Sequence, residues 1–191
     1  NSGADPARCR VVDSKGILHK DRHDVELRKA EYVDEWKMCQ TTNAEGRQGG
    51  IPEAMKGADV VVALSKPGPG VLQADWIRGM ASDAIVFACA NPVPEIWPEA
   101  ARAAGARISA TGRSDFPNQV NNSSIFPGLF RGVLDVRASR ITDAMTRAAA
   151  HALARYARSS GLRPDAILPM MDDPVAAAEV AAAVGIQAQQ D

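Results

Sequence analysis

Four short apolar runs, widely spaced and separated by helical patterns, limit the possible folds of this chain more than any other feature. They are Cys9–Asp13 (CRVVD), Ala58–Leu64 (ADVVVAL), Ala84–Ala90 (AIVFACA) and Ala106–Ala110 (ARISA). The two middle runs are continuous rather than alternating, the pattern of strands buried on both faces of a parallel sheet. Helical patterns separate the runs at Ile51–Gly57, Leu72–Ala81 and Pro98–Ala104. Pro98 stands at the tolerated first turn of its helix, and Gly105 supplies the stop. Strands alternating with helices of about ten residues predict βαβ units. The expected fold is therefore α/β, a doubly wound, mostly parallel sheet with right-handed crossovers.

The remaining chain is mapped by its breakers and caps. His19 to Gly50 is polar and charged, an excursion with one helix near Val25–Met38. Beyond Arg113 the chain turns helical, and Thr142 is a suitable N-cap for a helix over Asp143–Ser159. Gly161 ends that helix, Arg163-Pro164-Asp165 and Pro169 make turns, and a last Ala/Val-rich helix runs from Val175. No internal repeat is visible. The first residues (NSGADPARCR) lack an initiator Met and read as a loop, as in a fragment of something longer.

Composition excludes several classes. A net charge of -1 gives no footprint for nucleic acid or an anionic membrane surface. No apolar run approaches the roughly 18 residues of a membrane-spanning helix. The 3 cysteines (Cys9, Cys39 and Cys89) have neither CxxC nor metal-ligand spacing, so they read as reduced thiols in a cytoplasmic protein.

In an open parallel sheet, ligands bind at the carboxyl ends of the strands. The first run ends Asp13-Ser14-Lys15-Gly16. Its acid either accepts hydrogen bonds from ribose hydroxyls or belongs to an ordinary turn. The second run leads into Ser65-Lys66-Pro67-Gly68-Pro69-Gly70, a stiff, bare backbone that a flat cofactor can approach, or else a tight connection. The third leads to Asn91, whose amide offers both a donor and an acceptor, or simply caps a turn.

After the fourth run comes Phe116–Asn122, FPNQVNN, with three Asn and one Gln in seven residues. Amides are costly to bury without partners. With Pro117 in a first turn and Ser114 or Asp115 as cap, the stretch predicts a helix that Pro127 breaks or kinks. On it Asn118, Asn121 and Asn122 share one face. Such a face suits a hydroxy acid or a carboxamide. His19, His23 and His151 are scattered and read as solvated. Arg147, Arg155 and Arg158 read as a solvated helix face, and no nucleophile–base pair is visible.

Taken together, VVDSKGIL, LSKPGPGVL, FACANPVPEIWPEAA, ATGRSDFPNQVNNSSIFPGLFRGVLDVRA and ITDAMTRAAAHALA resemble the NAD(P)-binding domain of malic enzymes, most closely the smaller bacterial type. The match runs in order from about Ala7 to Ala154. The resemblance implies a partial Rossmann-like NAD(P)-binding domain over 1–140 and a C-terminal helical segment of the same domain over 141–191. It implies oxidative decarboxylation of malate to pyruvate and CO2, with NAD or NADP and a divalent metal, Mg or Mn. Asn91, Asn121 and Asn122 would contact malate. Asp13, Ser14, Lys15, Ser65, Gly68, Asn91, Asn118 and Asn121 would contact the cofactor. Asp13 gives a lean to NAD through repulsion of a 2′-phosphate, although Ser14 and Lys15 could welcome it.

The chain departs from that pattern in lacking a GxGxxG-type phosphate loop. The first strand, the phosphate loop, the acid and base residues and the metal carboxylates would then lie upstream, so the expectation is no catalytic or metal residue here and no turnover by this chain alone. A missing N-terminal domain, malate as substrate and a homo-oligomer are the implied partners. Two further readings stay open: another NAD-dependent dehydrogenase, and a truncated nucleotide- or partner-binding α/β module.

Overall fold

The computed structural model describes residues 3–191. The loop expected from Asn1 is thus described from Gly3; Asn1 and Ser2 lie outside. A short 3-10 turn (Pro6–Arg8) leads to β1 (Val12–Asp13) and β2 (Gly16–Ile17), followed by α1 (His23–Glu26), α2 (Val33–Thr41) and α3 (Ile51–Met55). Three strands then alternate with helices: β3 (Val60–Ala63), α4 (Ala74–Arg78), β4 (Ile85–Ala88), α5 (Pro98–Ala103) and β5 (Ile108–Thr111). The chain closes with α6 (Phe126–Asp135), α7 (Asp143–Ser159) and α8 (Pro174–Gln190).

Strands β3, β4 and β5 form a parallel sheet in that order, with Val61 beside Val86 and Val86 beside Ser109. The expected βαβ alternation is therefore present. One sheet face carries Val61, Ala63, Val86 and Ala88, which pack with Met55, Leu72, Ile77, Met80 and Ile96 from the helical side. Burying a side chain of that size is worth about 1.5–3 kcal/mol. Pro98 opens α5 as expected, and Gly105 follows its cap in the left-handed region at φ 107°, a conformation that favours glycine.

A second core joins α6, α7 and α8 through Leu129, Val133, Met145, Leu153, Val180 and Val184. Helix α6 thus packs with the two helices that follow it. Gly128 and Gly132 let α6 lie against α8, where an added Cβ would meet the Ala177 and Ala181 carbonyls at 2.6 and 2.4 Å. Thr142 caps α7 as expected, accepting from the Met145 N–H at 3.2 Å.

Four expectations are corrected. The first run is no member of the parallel sheet. Val12 pairs antiparallel with Ile17 and Asp13 with Gly16, because the Asp13–Gly16 turn folds the chain straight back on itself. The single helix near Val25–Met38 is two, α1 and α2, separated by turns around Lys29–Glu31. The β3 run is not buried on both faces: Val60 and Val62 are 47% and 58% exposed, since nothing described covers that side. FPNQVNN is not helical, and Pro127 opens α6 instead of breaking a helix, as its missing N–H allows in a first turn.

Candidate dinucleotide and substrate site

The segments leaving β4 and β5 converge on a polar cleft of about 450 Å³. Asn91 and Pro92 line it from β4, joined by a cis peptide bond. Gly112, Arg113, Ser114, Asp115, Gln119 and Asn121 line it from β5.

What replaces the expected helix is a short segment that pairs in parallel with the end of β5. Residues 118–120 run beside the end of β5: the Thr111 N–H donates to the Asn118 carbonyl at 3.3 Å, and the Val120 N–H donates to the Thr111 carbonyl at 2.7 Å. Side chains alternate along such a segment. Gln119 therefore faces the cleft, and Asn118 does not.

Asn118 sits at φ 58°, which Asn tolerates better than most residues, and is 7% exposed. Its amide nitrogen donates to the Ser109 and Pro164 carbonyls at 3.1 and 2.7 Å, and its oxygen accepts from the Ile167 N–H at 2.9 Å. It ties the 164–167 loop to β5.

Asn121 caps the short 3-10 turn over Asn122–Ser124, accepting from the Ser123 N–H at 3.0 Å and donating to the Gly112 carbonyl at 3.1 Å. One lone pair and one N–H remain for a ligand. Asn122 is exposed and lies off the cleft lining.

The charges at the cleft cancel. Arg113 donates to both Asp115 oxygens, at 2.8 and 2.7 Å, and to the Pro92 carbonyl at 2.9 Å. Its guanidinium lies 5.9 and 5.8 Å from the Trp97 and Phe116 ring centres. The Arg113 hydrogen bonds hold the Asp115 carboxyl below its usual range. Asn91, Gln119 and Asn121 thus face a locally neutral surface.

The Ser65–Gly70 loop follows β3. The Ser65 N–H donates to Glu95 Oε1 at 3.2 Å, and Gly68, at φ 126°, donates to the Val93 carbonyl at 3.2 Å. Asp13, Ser14 and Lys15 occupy the hairpin turn. Burial pushes the Asp13 carboxyl up, but the Arg22 guanidinium and the Lys15 N–H outweigh it, and it ends below its usual range. The Lys15 ammonium bonds Asp24 at 3.0 Å. Burial pushes the Cys89 thiol up, and nearby Glu95 adds to the effect. Cys9, Cys39 and Cys89 are all free thiols.

Gln119, Arg113, Asp115 and Glu95 escaped the sequence reading. Gln119 was visible as the fourth amide of its stretch, but helical spacing put it off the shared face. The described residues contain no group of three or more His, Cys, Asp or Glu that could hold a metal ion. They do not fit a metal site, and no metal ligand is assigned from this chain.

A parallel sheet with a polar cleft at the carboxyl ends of its strands matches where dinucleotide-binding α/β domains hold their ligands. The chain belongs to the malic enzyme family: the family described as "Malic enzyme, NAD binding domain" matches residues 4–189. It is 44% identical over 171 residues to an NADP-dependent malic enzyme of Halomonas elongata, covering 89% of this chain and 37% of the relative. It is 43% identical over 158 residues to an NAD-dependent malic enzyme of Geobacillus stearothermophilus, covering 83% of this chain and 31% of the relative. Its structure resembles that of the Entamoeba histolytica malic enzyme with a TM-score of 0.94 and 51% identity, covering 100% of this chain and 39% of that one. The chain thus spans well under half the length of these proteins. No helix among the described residues is long and apolar enough to cross a membrane.

Proposed function

We propose that the protein carrying this chain oxidatively decarboxylates malate to pyruvate and CO2 with a nicotinamide dinucleotide, and that the cleft holds the reacting end. The observation that supports this most is the meeting of Asn91, Gln119 and Asn121 on a neutral surface at the ends of β4 and β5. A bound nicotinamide supplies the acceptor for the hydride leaving malate C2. Asn91 and Asn121 donate to malate oxygens and pair with the nicotinamide carboxamide, orienting C2 without the field of a free carboxylate. Gln119 adds the third amide. Arg113, already neutralised by Asp115, shapes the wall.

Ser65 and Gly68 would border the cofactor. Asp13, with Ser14 and Lys15, would meet the adenosine ribose; Asp13 leans the choice to NAD, an effect that its pairing with Arg22 weakens. The catalytic acid and base, and the ligands for Mg or Mn, are assigned to the rest of the protein. A reducing, cytoplasmic location fits the free thiols, and a homo-oligomer is proposed with it.

Malate, NAD or NADP and Mn are added to the full-length protein, and dinucleotide reduction is followed with pyruvate release. Asn91→Ala and Asn121→Ala should each lower kcat/KM for malate roughly a hundredfold. A parent protein that reduces neither dinucleotide, or alanine variants matching the parent, refutes the proposal.

A further inference from the structure

Glu95 is wholly buried, at 0% exposure, in the segment that follows Asn91. A buried carboxylate is tolerated only with compensation. No salt bridge reaches Glu95 among the described residues; its two oxygens are met by main-chain amides instead. Oε1 accepts from the Ser65 N–H at 3.2 Å, and Oε2 accepts from the Ala90 N–H at 3.0 Å. Ser65 begins the loop leaving β3, and Ala90 immediately precedes Asn91. One carboxylate therefore bridges the ends of two neighbouring strands, whose axes lie about 4.8 Å apart.

The main chain of the same residue reinforces the bridge. The Glu95 carbonyl accepts from the Gly70 N–H at 3.1 Å and the Leu72 N–H at 3.2 Å, the far end of the Pro-Gly loop. Both ends of that loop are thus fastened to Glu95, and its middle to Val93 through Gly68. Loop 65–70 contains four residues, Pro67, Gly68, Pro69 and Gly70, that hold few side-chain contacts of their own, so its placement depends on this anchor. An apolar side chain could fill the space without desolvating a charge; it would leave both amides unsatisfied.

We infer that Glu95 is a positioning residue that locks the Ser65–Gly70 loop to the Asn91 turn, so that the two strand ends present their contacts to the cofactor as one unit. The catalytic half of this statement rests on the functional reading above; the coupling of the two loops does not.

The test is Glu95→Gln, which keeps the shape but replaces one acceptor by a donor, so one of the two amides must face an N–H. In the full-length protein, amide hydrogen exchange should quicken at Ser65, Gly70, Leu72 and Ala90 and stay unchanged in α7 and α8. The kcat/KM for the dinucleotide should fall roughly tenfold or more, since small displacements at a reacting site are amplified. Unchanged exchange at both loops overturns the inference. So does faster exchange with unaltered KM and kcat, which would mark Glu95 as a fold residue alone. If the Gln variant does not fold, Glu95→Asp, which keeps the carboxyl group but is too short to bridge both amides, is read by the same criteria. A parent that oxidises no malate refutes the functional reading, and exchange in the variant then decides the coupling by itself.

Discussion

Asp13 and Arg22 face each other through two hydrogen bonds, Nη1 to Oδ1 at 3.1 Å and Nη2 to Oδ2 at 2.7 Å. The same guanidinium bonds both oxygens of Asp24, at 2.7 and 2.9 Å. The acid expected to repel a 2′-phosphate is therefore already compensated.

Removing the compensation should sharpen cofactor choice. In the full-length protein, Arg22→Gln leaves Asp13 its charge and takes away its partner. A unit charge pair near 4 Å in water is worth about 1 kcal/mol, or roughly fivefold. The ratio of kcat/KM for NAD over NADP should rise by about that factor. Equal changes for both dinucleotides would remove Asp13 from the ribose contact.

The same cluster predicts an acid response. Asp13 and Asp24 titrate below their usual range, Asp24 chiefly through its hydrogen bonds to Arg22 and Lys15. The unfolded chain then takes up these protons first, so their contribution is whole above the ordinary carboxylate value near 4 and is lost as pH falls through the folded values. The thermal midpoint should be flat around neutrality and drop below about pH 4, and the drop should be shallower in Arg22→Gln. A parallel pH profile in both proteins contradicts this account.

Asn118 should act through folding. Asn118→Ala loses three hydrogen bonds and places at φ 58° a residue that tolerates the left-handed region less well than Asn, for a destabilisation of about 3 kcal/mol in urea unfolding. Asn118→Gly keeps the backbone conformation and should recover about 1 kcal/mol of that loss. An alanine variant as stable as the parent would rule out the 164–167 tie.

At Gly132 an added methyl would lie 2.4 Å from the Ala181 carbonyl and 2.9 Å from Val184 Cβ. Gly132→Ala should destabilise by about 1–3 kcal/mol, as overpacked cores do. Gly50→Ala, with its nearest contact at 3.7 Å and no positive φ, should stay within about 0.5 kcal/mol of the parent. Similar midpoints for the two variants would mean that α6 and α8 are not held at this spacing.

The sequence made the repetitive parts legible. Helix α7 follows its cap at Thr142 and its three- and four-residue periodicity, so both of its ends were readable. The middle strands announce themselves as continuous apolar runs, VVVA and IVFA. The cleft was harder, because its geometry depends on distant partners. Asn118 faces away from the cleft to meet Pro164 and Ile167, which lie 46 and 49 residues later. No local pattern records that contact. Asn91 and Asn121 were legible as amides at strand ends, whereas Gln119 enters the cleft only because residues 118–120 extend along β5. Glu95 was hidden for a similar reason: its partner Ser65 is 30 residues earlier.

The outer edge of β3 has a consequence for handling the chain. This strand lies at the end of its sheet, with Val60, Val62 and Leu64 exposed by 47%, 58% and 72%. The residues that discourage strand addition, Lys66 and Pro67, come only after the run has ended. An unpaired, aliphatic edge of this kind recruits any other extended segment, including another copy of itself. Among the described residues this edge is therefore the part of the sheet most open to pairing with another extended segment.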